Sequence, residues 1–135
     1  MEETTLLRLE NVDICREENV ILHNASFVLK NGEFVYVIGK VGSGKSSLLK
    51  SLYCEIPILN GDAFLMEYNL CKIKRKEIPY LRRKLGIVFQ DFQLLTDRSV
   101  IKNLEFVLKA TGWKNKEQIA ERIDNVLIQV GMQNK

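Results

Sequence analysis

The sequence predicts an α/β fold, and three adjacent features carry that prediction. The run FVYVI at residues 34–38 is short and continuously apolar, as in a parallel strand that is buried on both faces. The glycine-rich stretch GKVGSGKSS at residues 39–47 follows it directly. Residues 45–53 then show a helical pattern. A strand, a glycine loop and a helix in this order are typical of α/β proteins.

Composition indicates one globular domain. The chain has 135 residues, of which 46% are apolar and 27% charged. No apolar run approaches the roughly 20 residues that cross a bilayer, and the acidic opening MEETTLL is unlike a signal peptide. The three cysteines, Cys15, Cys54 and Cys71, are odd in number and show no C-x-x-C spacing, which predicts reduced thiols. We therefore expect a cytoplasmic domain without a disulfide framework or a zinc site.

The elements fall into three predicted parts. An antiparallel β portion, residues 1–34, holds two strands, Leu6–Ile14 and Val20–Leu29, and ends near the turn dipeptide Asn31-Gly32. A core, residues 35–90, and the start of a helical subdomain, residues 91–135, follow it. The predicted core elements are the strand 34–38, the helix 45–53, a short strand at 63–66, a short helix near Pro79 and a buried strand at 85–89. The predicted helices of the last part run from Ser99 to Ala110 and from an Asn115 N-cap to Gly131.

Positive charge is concentrated between residues 72 and 84. The stretch KIKRKEIPYLRRK contains seven Lys or Arg and one Glu, although the whole chain carries only +3. A solvated helix face is the first interpretation, and attraction to an anionic surface such as the inner membrane leaflet is the alternative. Nucleic acid is not expected, because only Tyr80 is available there to stack on bases.

The glycine loop fits the pattern G-x-x-x-x-G-K-[ST], and its position between a strand and a helix is the context that this pattern requires. Its glycines allow several backbone N–H groups to converge at a helix N-terminus, which attracts anions. Lys45 would reach the β and γ phosphates of a nucleotide, and the Ser46 hydroxyl would ligate Mg²⁺. The glycine order differs from the G-x-G-x-x-G of nicotinamide-binding proteins. The predicted nucleotide-binding residues of the loop are Gly39, Lys40, Val41, Gly42, Ser43, Gly44, Lys45, Ser46 and Ser47.

The order of elements resembles that of ABC transporter ATP-binding subunits, a branch of the P-loop NTPases. LGIVFQDFQLL at residues 85–95 looks like their Q-loop, with Gln90 as its glutamine, and residues 77–104 are similar to the FtsE group of cell-division ATPases. The resemblance implies that Lys45 and Gln90 are catalytic and that Ser46 and Gln90 hold Mg²⁺. It also implies that Phe92, Leu94 and Leu95 receive a helix of a membrane partner, although core packing would explain these apolar residues equally well.

The resemblance implies a function as well. A full-length, dimeric protein of this type would bind and hydrolyse ATP at the cytoplasmic face of the plasma membrane and drive an FtsX-like membrane subunit in cell division. Lipoprotein-release and macrolide-efflux ATPases share these motifs and remain alternatives within the family. Outside it, a small P-loop kinase and a non-catalytic nucleotide-binding module remain open.

Two departures from the family pattern are visible in the sequence. No Tyr, Phe or Trp lies between Met1 and His23, so Cys15 stands where the family stacks adenine on an aromatic ring. We therefore expect weak discrimination between ATP and GTP. The family's signature, its catalytic Asp-Glu strand and its γ-phosphate-sensing His are also missing, and His23 is expected to be a surface or turn residue. These absences predict the front part of a longer ATPase, cut before the signature and Walker B, that binds ATP without efficient hydrolysis.

Overall fold

A computed structural model describes residues 4–134 of the chain. The chain divides into two compact units, Met1–Gly86 and Ile87–Lys135. The predicted division into parts 1–34, 35–90 and 91–135 remains a prediction. Residues 1–3 of the first predicted part and residue 135 of the last lie outside the described residues.

The first unit is built on a four-stranded antiparallel sheet. Its strands are β1 Thr5–Arg16, β2 Asn19–Lys30, β3 Ile58–Leu65 and β4 Tyr68–Asn69, in the spatial order β2-β1-β3-β4. The two predicted N-terminal strands are confirmed as an antiparallel pair. The strand predicted at residues 63–66 begins earlier, at Ile58. Its additional residues include Gly61, which lies at the register shift between Asn60 and Asp62, the residues that pair with Asp13 and Glu10 of β1.

A bulge in β1 explains how its apolar residues reach one core. Leu7 and Leu9 are buried with the ordinary period of two, and Val12 and Ile14 are buried after a shift of one residue. The shift occurs at Asn11, which has a φ of 51° and donates its N–H to Ser26 Oγ at 3.0 Å. The bulge thus keeps a long strand facing a single core.

Two helices of the first unit pack on this sheet. They are α1 Lys45–Leu52 and α2 Ile78–Arg83, with Pro79 in the first turn of α2 as predicted. Leu81 of α2 is completely buried, and Leu48 and Leu52 of α1 pack against the core. The buried core residues are Leu7, Leu9, Val12, Ile14, Ile58, Ala63, Leu65, Leu70 and Leu81.

The structure does not form the buried strands predicted at 34–38 and 85–89. No strand is assigned to residues 33–40 or 85–89, and Tyr36, Ile38 and Val88 are 80%, 89% and 95% exposed. A strand requires hydrogen bonds to a neighbouring strand, and the sheet among residues 4–134 consists of β1 to β4 alone. The apolar pattern therefore predicted burial that these segments do not achieve in this structure.

The second unit contains two helices, α3 Val100–Ala110 and α4 Lys116–Gln129. The Ser99 hydroxyl caps α3 by accepting a hydrogen bond from the N–H of Lys102, and the Asn115 side chain caps α4. Ile119 and Ile123 are the buried residues of α4. Between residues 4 and 134, none of the helices has the length and apolarity that crossing a membrane would require.

Candidate nucleotide-binding site

The glycine loop between residue 38 and α1 is shaped by left-handed backbone. Gly42 and Gly44 have φ angles of 81° and 99°, which residues with a side chain rarely adopt. Between them, the N–H of Ser43 donates to the carbonyl oxygen of Lys40 at 3.0 Å and closes a tight turn. The loop therefore curls back just before the first helical residue, Lys45.

Two glycines of the loop also lie close to neighbouring side chains. A Cβ atom on Gly39 would lie 2.6 Å from Ser43 Oγ, and one on Gly44 would lie 2.9 Å from Ile21 Cγ2. The first contact means that the two ends of the turn face each other directly. The second means that the loop rests against β2, so the antiparallel sheet supports the start of α1.

Lys45 crosses the loop that precedes it. Its ammonium group donates a hydrogen bond to the carbonyl oxygen of Gly39 and another to that of Lys40, the latter at 3.0 Å. A lysine ammonium has three N–H donors, so one remains for another acceptor. The side chain is thus held over the loop with its positive charge at the loop's centre.

The N-terminus of α1 offers donors to an anion. Among the described residues, no acceptor is found for the N–H groups of Gly44, Lys45 and Ser46. Such groups at a helix start carry about half a positive charge in total. Ser46 is exposed beside them, whereas Ser47 and Gly44 are buried. Backbone donors, a lysine and a hydroxyl are the groups that bind a nucleotide phosphate with its Mg²⁺, so the residues present fit both.

Cys15 lies near this loop through the register of β1 and β2. It is a half-buried free thiol that pairs with Val20, while its neighbour Ile14 pairs with Leu22. Ile21 is therefore the extra residue of a β-bulge, and it is this residue that approaches Gly44. The structure places Cys15 beside the strand end that supports the loop; its contact with a base remains a prediction.

Gln90 lies in the second unit, in a turn that precedes α3. The following residues, Phe92 and Gln93, have φ angles of 62° and 54°, which fold the segment tightly. Phe92 and Leu94 are 74% and 65% exposed, and Leu95 is half-buried. Core packing therefore does not account for Phe92 and Leu94 in this structure. The proposed contact of Gln90 with Mg²⁺ remains a prediction.

Two polar anchors, at Asp13 and Asn103, could not be predicted from the sequence. Asp13 Oδ1 accepts from the N–H of Asn24 and from His23 Nδ1, both at 2.8 Å, and so fastens a second bulge between β1 and β2. Asn103 accepts from the N–H of Leu95 and donates to the carbonyl oxygens of Leu95 and Ser99. No periodic pattern marks either residue, because both act through backbone groups that only the folded chain brings together. His23 is exposed, as expected, but is a strand residue.

The glycine loop, its lysine and the following α1, supported by an antiparallel sheet, define a P-loop NTPase fold of the ABC ATPase type. A family model described as "ABC transporter" matches residues 22–135. The chain belongs to the ABC transporter family.

Individual relatives agree with this assignment. The cell division ATP-binding protein FtsE of Streptococcus pneumoniae is 40% identical over 114 residues, which cover 84% of the chain and 49% of FtsE. The methionine import ATP-binding protein MetN of Helicobacter pylori is 33% identical over 131 residues, which cover 96% of the chain and 40% of MetN. The chain thus spans half or less of the length of these relatives.

A solved structure shows the same fold. The ATP-binding cassette MJ0796, in a dimeric post-hydrolysis state bound to ADP and Pi, has a TM-score of 0.77 and 29% identity. The match covers 90% of the chain and 56% of MJ0796. The ABC-type fold predicted from the sequence is therefore confirmed.

Proposed function

We propose that the chain provides the nucleotide-binding site of an ABC ATPase, in which residues 39–47 wrap the triphosphate of ATP. The observation that carries this proposal is the position of Lys45, which is held over the loop by Gly39 and Lys40 with a donor to spare. The N–H groups of Gly44 and Ser46, for which the described part of the chain offers no acceptor, would bind phosphate oxygens. These groups together support a site that would bind the phosphates of ATP.

Ser46 and Gln90 would hold Mg²⁺ in this proposal. A serine hydroxyl and a glutamine amide oxygen are both hard oxygen ligands of the kind that Mg²⁺ accepts. Bound Mg²⁺ would offset negative charge on the β and γ phosphates. Lys45 would add its own positive charge at those phosphates, and this is the catalytic contribution that we assign to it. Gln90 is the second residue of this chain to which we assign a catalytic role.

The system that we propose is an FtsE-like cell-division ATPase with an FtsX-like membrane subunit. The identity of 40% to FtsE supports it. The dimer of MJ0796 supports a homodimer that forms through ATP. The protein would then lie at the cytoplasmic face of the plasma membrane, held there by its partner. A lipoprotein-release or macrolide-efflux ATPase is the alternative within the family. The likeness to MetN makes the ATPase of an import system a further alternative.

The segment after Gln90 would receive the membrane partner. Phe92 and Leu94 present exposed apolar side chains, and the Asn103 side chain fixes the backbone at Leu95. A rigid segment with exposed apolar residues suits the docking of an amphipathic helix. Beside it along α3 lies a shallow groove of about 360 Å³, lined by Arg98, Lys102, Glu105, Phe106, Lys109 and Ala110.

Copurification tests the partner assignment. The tagged chain is coexpressed in turn with an FtsX-type subunit and with the membrane subunit of a methionine importer. We expect retention of the FtsX-type subunit, and loss of retention when Phe92 and Leu94 are both changed to Ser. Val107→Ser is the matched control, because Val107 is also exposed, at 57%, but lies on α3. Retention of the importer subunit alone would contradict the FtsE-like assignment.

Phosphate release separates the rival activities. We expect the chain alone to release phosphate from ATP at close to the uncatalysed rate, and a full-length cassette to release it efficiently. Transfer of the γ-phosphate to a small acceptor by the chain would instead indicate a kinase. A full-length cassette that binds ATP without turnover would indicate a non-catalytic nucleotide-binding module.

A further inference from the structure

The loop between β4 and α2 presents an unusual concentration of positive charge. Residues 72–84 contain seven Lys or Arg and one Glu, a charge of +6, while the whole chain carries +3. The remaining residues therefore sum to −3. The positive charge of the protein is a local feature of this one loop and helix.

Some of these cations have structural partners. Lys84 pairs with Glu67, and Arg82 Nε donates to the carbonyl oxygen of Tyr53 at 2.9 Å. Arg83 lies over the ring of Tyr80, 4.9 Å from its centroid. The contacts of Lys84 and Arg82 join the end of α2 to its surroundings, whereas the contact between Arg83 and Tyr80 lies within α2.

The cations of the loop itself have no such partners. Among the described residues, no carboxylate lies within ion-pair distance of the side chains of Lys72, Lys74, Arg75 and Lys76. All four residues are exposed. The single acid of the segment, Glu77, uses its carboxylate to accept the backbone N–H of Lys74 at 3.0 Å. Four long cationic side chains therefore extend into solvent together.

The backbone beneath these side chains is fixed. The N–H of Glu77 donates to the carbonyl oxygen of Lys74 at 2.8 Å, and with the carboxylate contact this bond closes a tight turn over residues 74–77. Ile73 packs against the core from the middle of the loop, and Leu81 of α2 is completely buried. A set of cations on an ordered loop has a definite place and direction on the protein surface.

We propose that the basic loop, Lys72, Lys74, Arg75 and Lys76, binds an anionic lipid surface directly. A cluster of four to eight unpartnered cations is the pattern that attracts acidic bilayers, which require no shaped pocket. Tyr80, 57% exposed beside Arg83, adds an aromatic side chain of the kind that lies well at a membrane interface. Nucleic acid is less favoured, because the loop has no aromatic residues between its cations.

This contact goes beyond the proposed nucleotide function and does not depend on it. The loop would hold the protein against the bilayer through lipid headgroups, whereas the segment after Gln90 is assigned to a protein partner. Vesicle binding can be measured without nucleotide or membrane subunit. A failure of one proposal is therefore distinguishable from a failure of the other.

The test is cosedimentation of the full 135-residue chain with vesicles. Vesicles of phosphatidylcholine with phosphatidylglycerol are compared with vesicles of phosphatidylcholine alone, at about 0.1 M salt, where the Debye length is about 10 Å. One variant changes Lys74, Arg75 and Lys76 to Gln. A matched control changes three exposed cations of the second unit to Gln and so has the same net charge: Lys114, Lys116 and Arg122. Circular dichroism checks that both variants fold.

We expect binding to the anionic vesicles only, and a partition coefficient about 100-fold lower for the loop variant than for the control. Equal loss in both variants would overturn the proposal, because net charge rather than this loop would then carry the attraction. Equal binding to neutral vesicles would also overturn it, in favour of the exposed apolar residues near Tyr36. Binding to single-stranded DNA without binding to anionic vesicles would make the loop a nucleic-acid contact instead.

Discussion

Replacing Gly61 by Ala should destabilise the first unit strongly. Gly61 has a φ of 90°, and a Cβ atom there would lie 2.4 Å from the carbonyl oxygen of Asn11 and 2.7 Å from that of Glu10. The left-handed conformation alone costs about 1–2 kcal/mol for a residue with a side chain. The clash is with backbone atoms of the β1 bulge, which cannot rotate away, and overpacking of this kind adds about 1–3 kcal/mol. The total of about 2–5 kcal/mol is a large share of the 5–15 kcal/mol that typically stabilise a domain.

Gly32→Ala is the matched control for this prediction. Gly32 has a similar φ of 80°, but an added Cβ would meet no atom within 4 Å. We therefore expect this variant to lose only the conformational cost, about 1–2 kcal/mol. The difference between the two variants isolates the contact between β3 and the bulge.

Urea unfolding measures both variants, and fluorescence separates the two units. All four tyrosines lie in residues 1–86, whereas the single tryptophan, Trp113, lies in residues 87–135. Gly61→Ala should shift the tyrosine transition well beyond the shift of Gly32→Ala. Equal shifts in the two variants would refute the close approach of β3 to Asn11.

Three further predictions concern the anchors and the nucleotide. The hydrogen bond from the Asn24 N–H, with a smaller effect of His23, holds the pKa of Asp13 below its ordinary value of 3.8. Ionised Asp13 therefore stabilises the folded state fully above pH 3.8. This contribution to the free energy of unfolding is lost as the pH falls through the lowered pKa. The stability advantage of the wild type over Asp13→Asn should accordingly shrink on acidification in urea titrations, and a constant difference would contradict this reasoning. Asn115→Ala should cost the second unit about 1 kcal/mol in urea unfolding followed at Trp113, because α4 loses the acceptor for two N–H groups; an unchanged transition would argue against the cap. Cys15→Tyr should tighten ATP binding by up to about 1–3 kcal/mol through stacking, while the wild type binds ATP and GTP alike; calorimetry that shows no gain would remove Cys15 from the base site.

The sequence was sufficient to predict those elements whose signals are local. The glycine loop, the start of α3 near Ser99, the N-cap at Asn115 and the first two strands all depend on residues close together in the chain, and each is present in the structure. The strands at 34–38 and 85–89 were wrong because a buried parallel strand depends on neighbours that periodicity cannot supply. The Asp13 and Asn103 anchors depend on bulges and turns, whose partners only the folded chain brings together.

The same division applies to the site. The positions of Lys45 and Ser46 at the start of α1 could be predicted from their spacing to the glycines, since the motif fixes loop, lysine and helix start together; their contacts with a nucleotide remain predictions. The contact of Ile21 with Gly44 could not be predicted from the sequence, because it arises from a bulge in β2. The proposed roles of Gln90 and Cys15 remain predictions that depend on measurement with nucleotide.

Calorimetric titration with Mg·ATP tests the central claim most directly. The wild type is compared with Lys45→Ala and with Lys50→Ala, a lysine on the same helix that lies 3.9 Å from Glu55 and not over the loop. We expect saturable binding in the wild type and in Lys50→Ala. Lys45→Ala should bind at least about tenfold more weakly, because it loses a charge-assisted hydrogen bond of about 1.5–3 kcal/mol. Equal affinity in Lys45→Ala and the wild type would contradict the claim that this loop holds the triphosphate.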